Sequence, residues 1–168
     1  MTLANLVTLL RLALIPPILA FVIRDARWSA FALFAVALLG DVIDGTLARV
    51  RHEVTDLGKL LDPLADKLLS AGLVAAFAAI GRLSWLAFAL LGFQQLALLA
   101  GTVFLAGRGR RLGGARPLGK AAAALLALGL TLAIFALPSY WIVVYLGIAL
   151  AYAAGVDYLL SVLRRDRA

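Results

Sequence analysis

The sequence predicts an all-α integral membrane protein with six transmembrane helices and both termini in the cytoplasm. Three observations carry this reading. Of the 168 residues, 64% are hydrophobic and only 15% are charged, which lies outside the range of soluble globular domains. The apolar residues fall into six runs, each close to the about 20 residues that a helix needs to cross a bilayer core. The basic residues gather in alternate connections between those runs, as they do in polytopic proteins.

The first span is expected near 3–23. No basic stretch precedes its apolar run and no small-x-small cleavage site follows, so it reads as a retained span rather than a secretory signal. Pro16 and Pro17 lie inside it, where a kink is the simplest consequence. Arg11 lies about 12 Å along this helix from its start. It either meets an anionic partner (an aspartate or a substrate phosphate) or snorkels to the cytoplasmic interface.

The second span is expected at 29–49, after "RDARW", and the third at 57–80, after "RVRHEVTDLGK". Two starts compete for the third. Asp62–Pro63 has the form of an N-cap followed by proline at the first helical position. A helix from 63 to 80 would rise only about 27 Å, however, whereas one from 57 rises about 36 Å and clears the core. The longer helix is expected, with Pro63 removing one backbone bond to the carbonyl of Lys59.

Spans four to six are expected at 84–106, 117–137 and 139–163, after "GRLS", "GRGRRLGGARP" and "LPSY". These connections are short and carry charge, glycine or proline, which suits tight helix–helix turns. Gln94 and Gln95 lie near the middle of span four, where a polar side chain bonds a neighbouring helix or a dimer partner. Asp157 could pair with Arg164 or with another helix, and His52 reads as a solvated loop residue. Trp28, Trp85, Tyr140 and Trp141 fall at outer span boundaries and read as an interfacial belt. No repeat and no room for a separate module are visible, so residues 1–168 are expected to form one domain. Zero cysteines exclude disulfides and thiolate metal sites.

Orientation follows from eleven basic residues in the connections assigned to the cytoplasm, against Arg24, Arg27 and Arg82 opposite. The net charge of +7 therefore reads as orientation and attraction for anionic lipid or phosphate substrates, not as a nucleic-acid footprint.

The chemistry-bearing stretch is "GDVIDGTLARVRHEVTDLGKLLDPLADK", residues 40–67. On span two, Asp41, Asp44, Gly45 and Ala48 recur at three- and four-residue spacing and so share a helical face. On span three, Gly58, Asp62 and Asp66 follow an i, i+4, i+8 row. Packing those faces together would gather four carboxylates, with small residues leaving room beside them. Carboxylates so gathered repel, and proteins relieve this by protonation or by binding cations. The donor set is all oxygen, which suits Mg²⁺ or Mn²⁺ rather than Zn²⁺. Two such ions form a clamp for phosphoryl transfer.

The pattern D41-x2-D44-G45-x2-A48-R49-x8-G58-x3-D62-x3-D66 fixes eight residue types over 26 positions. It resembles the signature of the CDP-alcohol phosphatidyltransferases, whose six-span layout the chain also resembles. The resemblance implies that Asp41, Asp44, Asp62 and Asp66 hold two metal ions, with Asp66 also acting as the base on the acceptor hydroxyl. Gly45, Ala48 and Arg49 are implied as contacts for the CDP moiety. The implied reaction is attack of an alcohol on the lipid-linked phosphorus of CDP-diacylglycerol, with release of CMP, at the cytoplasmic face of the cell membrane. A homodimer is implied by the resemblance alone.

"LDPLADKLL" resembles the phosphatidylglycerophosphate synthase branch, whose acceptor is glycerol 3-phosphate. "NLVTLLRLALIPP" resembles that branch's N-terminal run, with Ala4 where the run has proline, and this adds Asn5 and Thr8 as nucleotide contacts. "RPLGK" is similar to the branch's fifth span, although Ala121–Ala124 follow where a second lysine and a threonine are common. Arg116, Lys120, Arg110, Arg111 and Arg11 are the candidates for the acceptor phosphate, since a phosphorylated alcohol needs cationic donors. Phosphatidylglycerol, giving cardiolipin, and inositol phosphate are the alternative acceptors. A UbiA-type prenyltransferase would release pyrophosphate instead and carry two separated Asp-rich motifs. A cation transporter would place its acids near the midplane, between repeats.

Overall fold

The computed structural model describes the backbone of residues 3–51, 56–107 and 117–165, and side chains over 8–40, 64–103 and 117–160. Six α-helices run in order: α1 (Leu3–Ile23), α2 (Arg27–Arg51), α3 (Asp56–Ala79), α4 (Trp85–Gly107), α5 (Pro117–Ile134) and α6 (Tyr140–Arg165). No strand occurs among the described residues. Pro63 lies inside α3, as the length argument predicts, and Pro16 and Pro17 lie inside α1.

Among the described residues, three helices are long and apolar enough to cross a membrane, over Trp85–Val103, Pro117–Ile134 and Tyr140–Leu160, where the sequence predicts six. The described parts of α1 and α2, Thr8–Ile23 and Arg27–Gly40, are apolar as well. In α3 the first half carries Lys59, Asp62, Asp66 and Lys67, which breaks the apolar run.

The chain divides into two compact units, Met1–Gly81 and Arg82–Ala168. In the first, α1 packs against both α2 and α3. Its inner stripe, Thr8, Arg11, Ile18 and Val22, is buried and follows the three- and four-residue spacing of one helical face. Ala30, Phe34 and Ala37 of α2 and Ala65, Leu69, Leu73 and Phe77 of α3 are buried as well. Gly72 lies where α1 meets α3: a Cβ there would stand 3.3 Å from Leu19 Cδ1.

In the second unit, α6 packs against both α4 and α5. Gly129 and Gly147 bring α5 and α6 together backbone to backbone. A Cβ on Gly129 would meet the Val144 nitrogen at 2.8 Å, and one on Gly147 the Leu126 nitrogen at 2.9 Å. Small residues permit this approach where lipid offers no hydrophobic drive between helices. The α4–α6 contact is polar in part: the Gln94 side-chain amide donates to Ala151 O at 3.3 Å, and the Tyr152 hydroxyl to Leu90 O at 2.8 Å. Gln94 thus bonds a neighbouring helix of its own chain, one of the two partners expected.

The helix ends follow from specific bonds. Behind α1, Asp25 adopts a left-handed φ of 54°, Asp25 N–H donates to Val22 O and Ala26 N–H to Phe21 O. This is a Schellman closure without glycine. Ala136 (φ 52°) does the same behind α5, with Ala136 N–H on Ala133 O and Leu137 N–H on Leu132 O. It ends that helix at Ile134 rather than at the expected 137. Ser84 caps α4, its hydroxyl accepting the Leu86 N–H at 3.1 Å. Arg82 donates to the carbonyls of Ala133 and Ile134 at 3.2 and 3.4 Å, which satisfies the open end of α5. Its own carbonyl accepts the Tyr140 hydroxyl at 2.6 Å.

Candidate functional site

The helical register that the aspartate motif needs is present. The backbone of α2 is helical without interruption through Asp41, Asp44, Gly45, Ala48 and Arg49, and that of α3 through Gly58, Asp62 and Asp66. The motif therefore occupies the second half of α2 and the first half of α3, on either side of residues 52–55. Both of these helices pack against α1. The side chains of Asp41, Asp44, Gly45, Ala48, Arg49 and Asp62 lie outside the described residues, as does that of Asn5.

Asp66 is exposed, while Ala65 before it is fully buried. The Ser70 hydroxyl, one turn on, donates to the carbonyls of Asp66 and Lys67 at 3.0 and 3.1 Å. Asp66 thus stands exposed on a helix anchored through its neighbours. Lys67, half-buried beside it, is a cation that the spacing argument leaves out. Its position next to the last aspartate of the motif was the available signal.

Thr8 and Arg11 are 0% and 2% exposed, one turn apart on the inner stripe of α1. That settles one alternative, because an arginine buried inside the protein is not snorkelling to an interface. Lys120 is exposed on the first turn of α5, three residues after Pro117. Proline at that first position is pre-set for helix initiation. Arg110, Arg111 and Arg116 lie outside the described residues. Lys120 belongs to the second compact unit and the aspartates to the first.

Comparison with known proteins decides the family. The sequence model described as CDP-alcohol phosphatidyltransferase matches residues 1–153. The chain belongs to that family. Among named CDP-alcohol phosphatidyltransferase relatives, a CDP-diacylglycerol–glycerol-3-phosphate 3-phosphatidyltransferase of Pseudomonas fluorescens is 36% identical over 178 aligned residues, covering 100% of this chain and 90% of that protein. The Aquifex aeolicus protein of the same name is 39% identical over 107 residues, 62% of this chain and 60% of its own length. The one from Rickettsia bellii is 47% identical over 70 residues, 40% of this chain and 39% of its own. The latter two alignments thus span less than two thirds of the relatives' length.

Proposed function

We propose that this protein transfers the phosphatidyl group of CDP-diacylglycerol to sn-glycerol 3-phosphate, giving phosphatidylglycerophosphate and CMP. The observation that carries the reading is the unbroken helical register of α2 and α3 through the full eight-residue signature, on two helices packed against one third helix. Three relatives named as glycerol-3-phosphate 3-phosphatidyltransferases support the choice of acceptor.

In this reading Asp66 accepts the proton of the acceptor hydroxyl. The hydroxyl oxygen forms a bond to the lipid-linked phosphorus as the bond to the CMP oxygen breaks, and CMP leaves with the electron pair. Asp41, Asp44, Asp62 and Asp66 would hold two divalent cations, and the oxygen-only donor set fits Mg²⁺ or Mn²⁺. When bound, such ions neutralise phosphate oxygens and stabilise the leaving oxygen. Gly45, Ala48, Arg49 and Asn5 are assigned to the nucleotide, and Thr8, 0% exposed, is not. Arg49 offers a planar fork to phosphate. Lys120, Arg116, Arg110 and Arg111 are assigned to the acceptor phosphate, where Lys120, exposed at a helix start, adds a cation to the favourable field of that end.

Residues 1–168 act as one domain in this reading, since the family match crosses the boundary between the two units. The chain lies in the cell membrane with six spans, cytoplasmic termini and a cytoplasmic active site, supported by the asymmetry of its basic residues. It works as a homodimer among membrane lipids, as the family resemblance implies.

The test follows radiolabelled glycerol 3-phosphate into chloroform-extractable lipid, using purified protein, CDP-diacylglycerol and Mg²⁺. Labelled phosphatidylglycerophosphate is the expected product. Lipid formed only when phosphatidylglycerol or inositol phosphate is supplied instead would retain the chemistry and overturn the acceptor.

A further inference from the structure

Arg11 is the only charged side chain among the buried described residues. A guanidinium out of water needs compensating charge close by, since burying an ion costs several kcal/mol unless it is paired. The register of the first unit shows which acids share its level.

The hairpin of α1 and α2 turns through residues 24–26. Arg11 lies 12 residues before Ile23, or about 18 Å down α1. The same distance along α2 from Arg27 reaches residue 39, two positions short of Asp41. A second register comes from α3. Gly72 stands opposite Ile15 and Leu19 of α1, so residue 72 is level with about residue 17. Arg51, the end of α2, is about 18 residues past the level of residue 17, and α3, starting at Asp56, is back at that level by Gly72, so α3 runs in the direction of α1. Stepping back six residues on each helix, about 9 Å, puts Asp66 level with Arg11. Two independent registers therefore bring Arg11 to the height of the first and last aspartates of the motif.

We propose that Arg11 is a positioning residue, the built-in counter-charge of the aspartate cluster, holding α1 to α2 and α3 at the level of Asp41 and Asp66. It replaces, for Arg11, the role of acceptor-phosphate ligand. A 2% exposed guanidinium gives a soluble phosphate little access, whereas Lys120 is exposed. The proposal rests on the aspartate-site reading only for the location of the acids, and stands whichever acceptor is used.

The experiment is a double-mutant cycle on the full chain in detergent with EDTA, read as melting temperature, so that it does not depend on turnover. Arg11→Met should lower the midpoint by roughly 6–15 °C, because it leaves the acids uncompensated. Adding Asp41→Asn or Asp66→Asn should recover at least half of that loss, whereas adding Lys120→Ala should recover none. Should Arg11→Met prove too unstable to purify, Arg11→Lys keeps the charge and should retain most of the melting temperature. In that variant the KM values for glycerol 3-phosphate and CDP-diacylglycerol should stay within about twofold of wild type. Additive losses in the cycle with both aspartates would overturn the proposal. So would a rise of tenfold or more in the glycerol 3-phosphate KM of Arg11→Lys at unchanged stability, which would return Arg11 to the acceptor. Absence of any transferase activity, with the coupling intact, would count against the proposed reaction and leave this assignment standing.

Discussion

Replacing Gly147 by alanine tests the contact that joins α5 to α6. A Cβ there would stand 2.9 Å from the Leu126 nitrogen, 3.0 Å from its Cα and 3.2 Å from its Cβ. Optimal separation between such atoms is about 3.5–4.0 Å, so the helices must part by roughly 0.5–1 Å. The two nearest atoms are backbone and cannot rotate away. Overpacking of this kind costs about 1–3 kcal/mol. Alanine also gains up to about 1 kcal/mol over glycine in helix propensity, which would partly hide the clash. Gly92 of α4 separates the two effects, because nothing lies within 4 Å of a Cβ built there. Gly92→Ala should therefore keep or raise the melting temperature. Gly147→Ala should melt about 2–12 °C below it, from about 2–4 °C per kcal/mol for a chain of this size. The assay is tryptophan fluorescence on heating in one detergent. Equal midpoints for the two variants would refute the close backbone approach.

Three further outcomes follow from the site. Asp66→Asn should abolish CMP release in a protein that still purifies folded and melts cooperatively, since the anchoring bonds at Asp66 run through backbone carbonyls; near wild-type turnover would remove it as the base. Lys120→Ala should raise the KM for glycerol 3-phosphate by tenfold or more and leave that for CDP-diacylglycerol within about twofold, the size of one charge-assisted bond. Equal effects on both substrates would argue against an acceptor contact. Chelation by EDTA should remove activity, and added Mg²⁺ or Mn²⁺ should restore it; turnover that persists in chelator would exclude the metal-dependent reading.

The helices were legible because their connections are punctuated by charge, glycine and proline, and because bilayer thickness decided between two starts for α3. The end of α5 was not legible. Its left-handed closing residue is Ala136, and only backbone geometry reveals a Schellman turn made without glycine. Arg82 reads in sequence as a lone loop charge, yet it caps a helix 51 residues away, a tertiary fact that no local pattern carries. Gly129 and Gly147 are visible as small residues, but their pairing depends on which helices meet.

The site divides in a similar way. Spacing sufficed to set four aspartates and three small residues on two helical faces, because 3.6-residue periodicity is a property of the chain itself. It could not decide between a snorkelling and a buried Arg11, since burial depends on α1 being packed by both α2 and α3. Among the described residues α3 does not stand out as an apolar span, because the residues that make the motif chemically useful also interrupt its hydrophobic run.

The central claim is tested most directly by CMP release from CDP-diacylglycerol, using purified wild-type protein with Mg²⁺, in the presence and absence of glycerol 3-phosphate. CMP formed in step with phosphatidylglycerophosphate, and only when the acceptor is present, is the predicted result. No CMP with any alcohol acceptor, from protein with an intact melting transition, would contradict it.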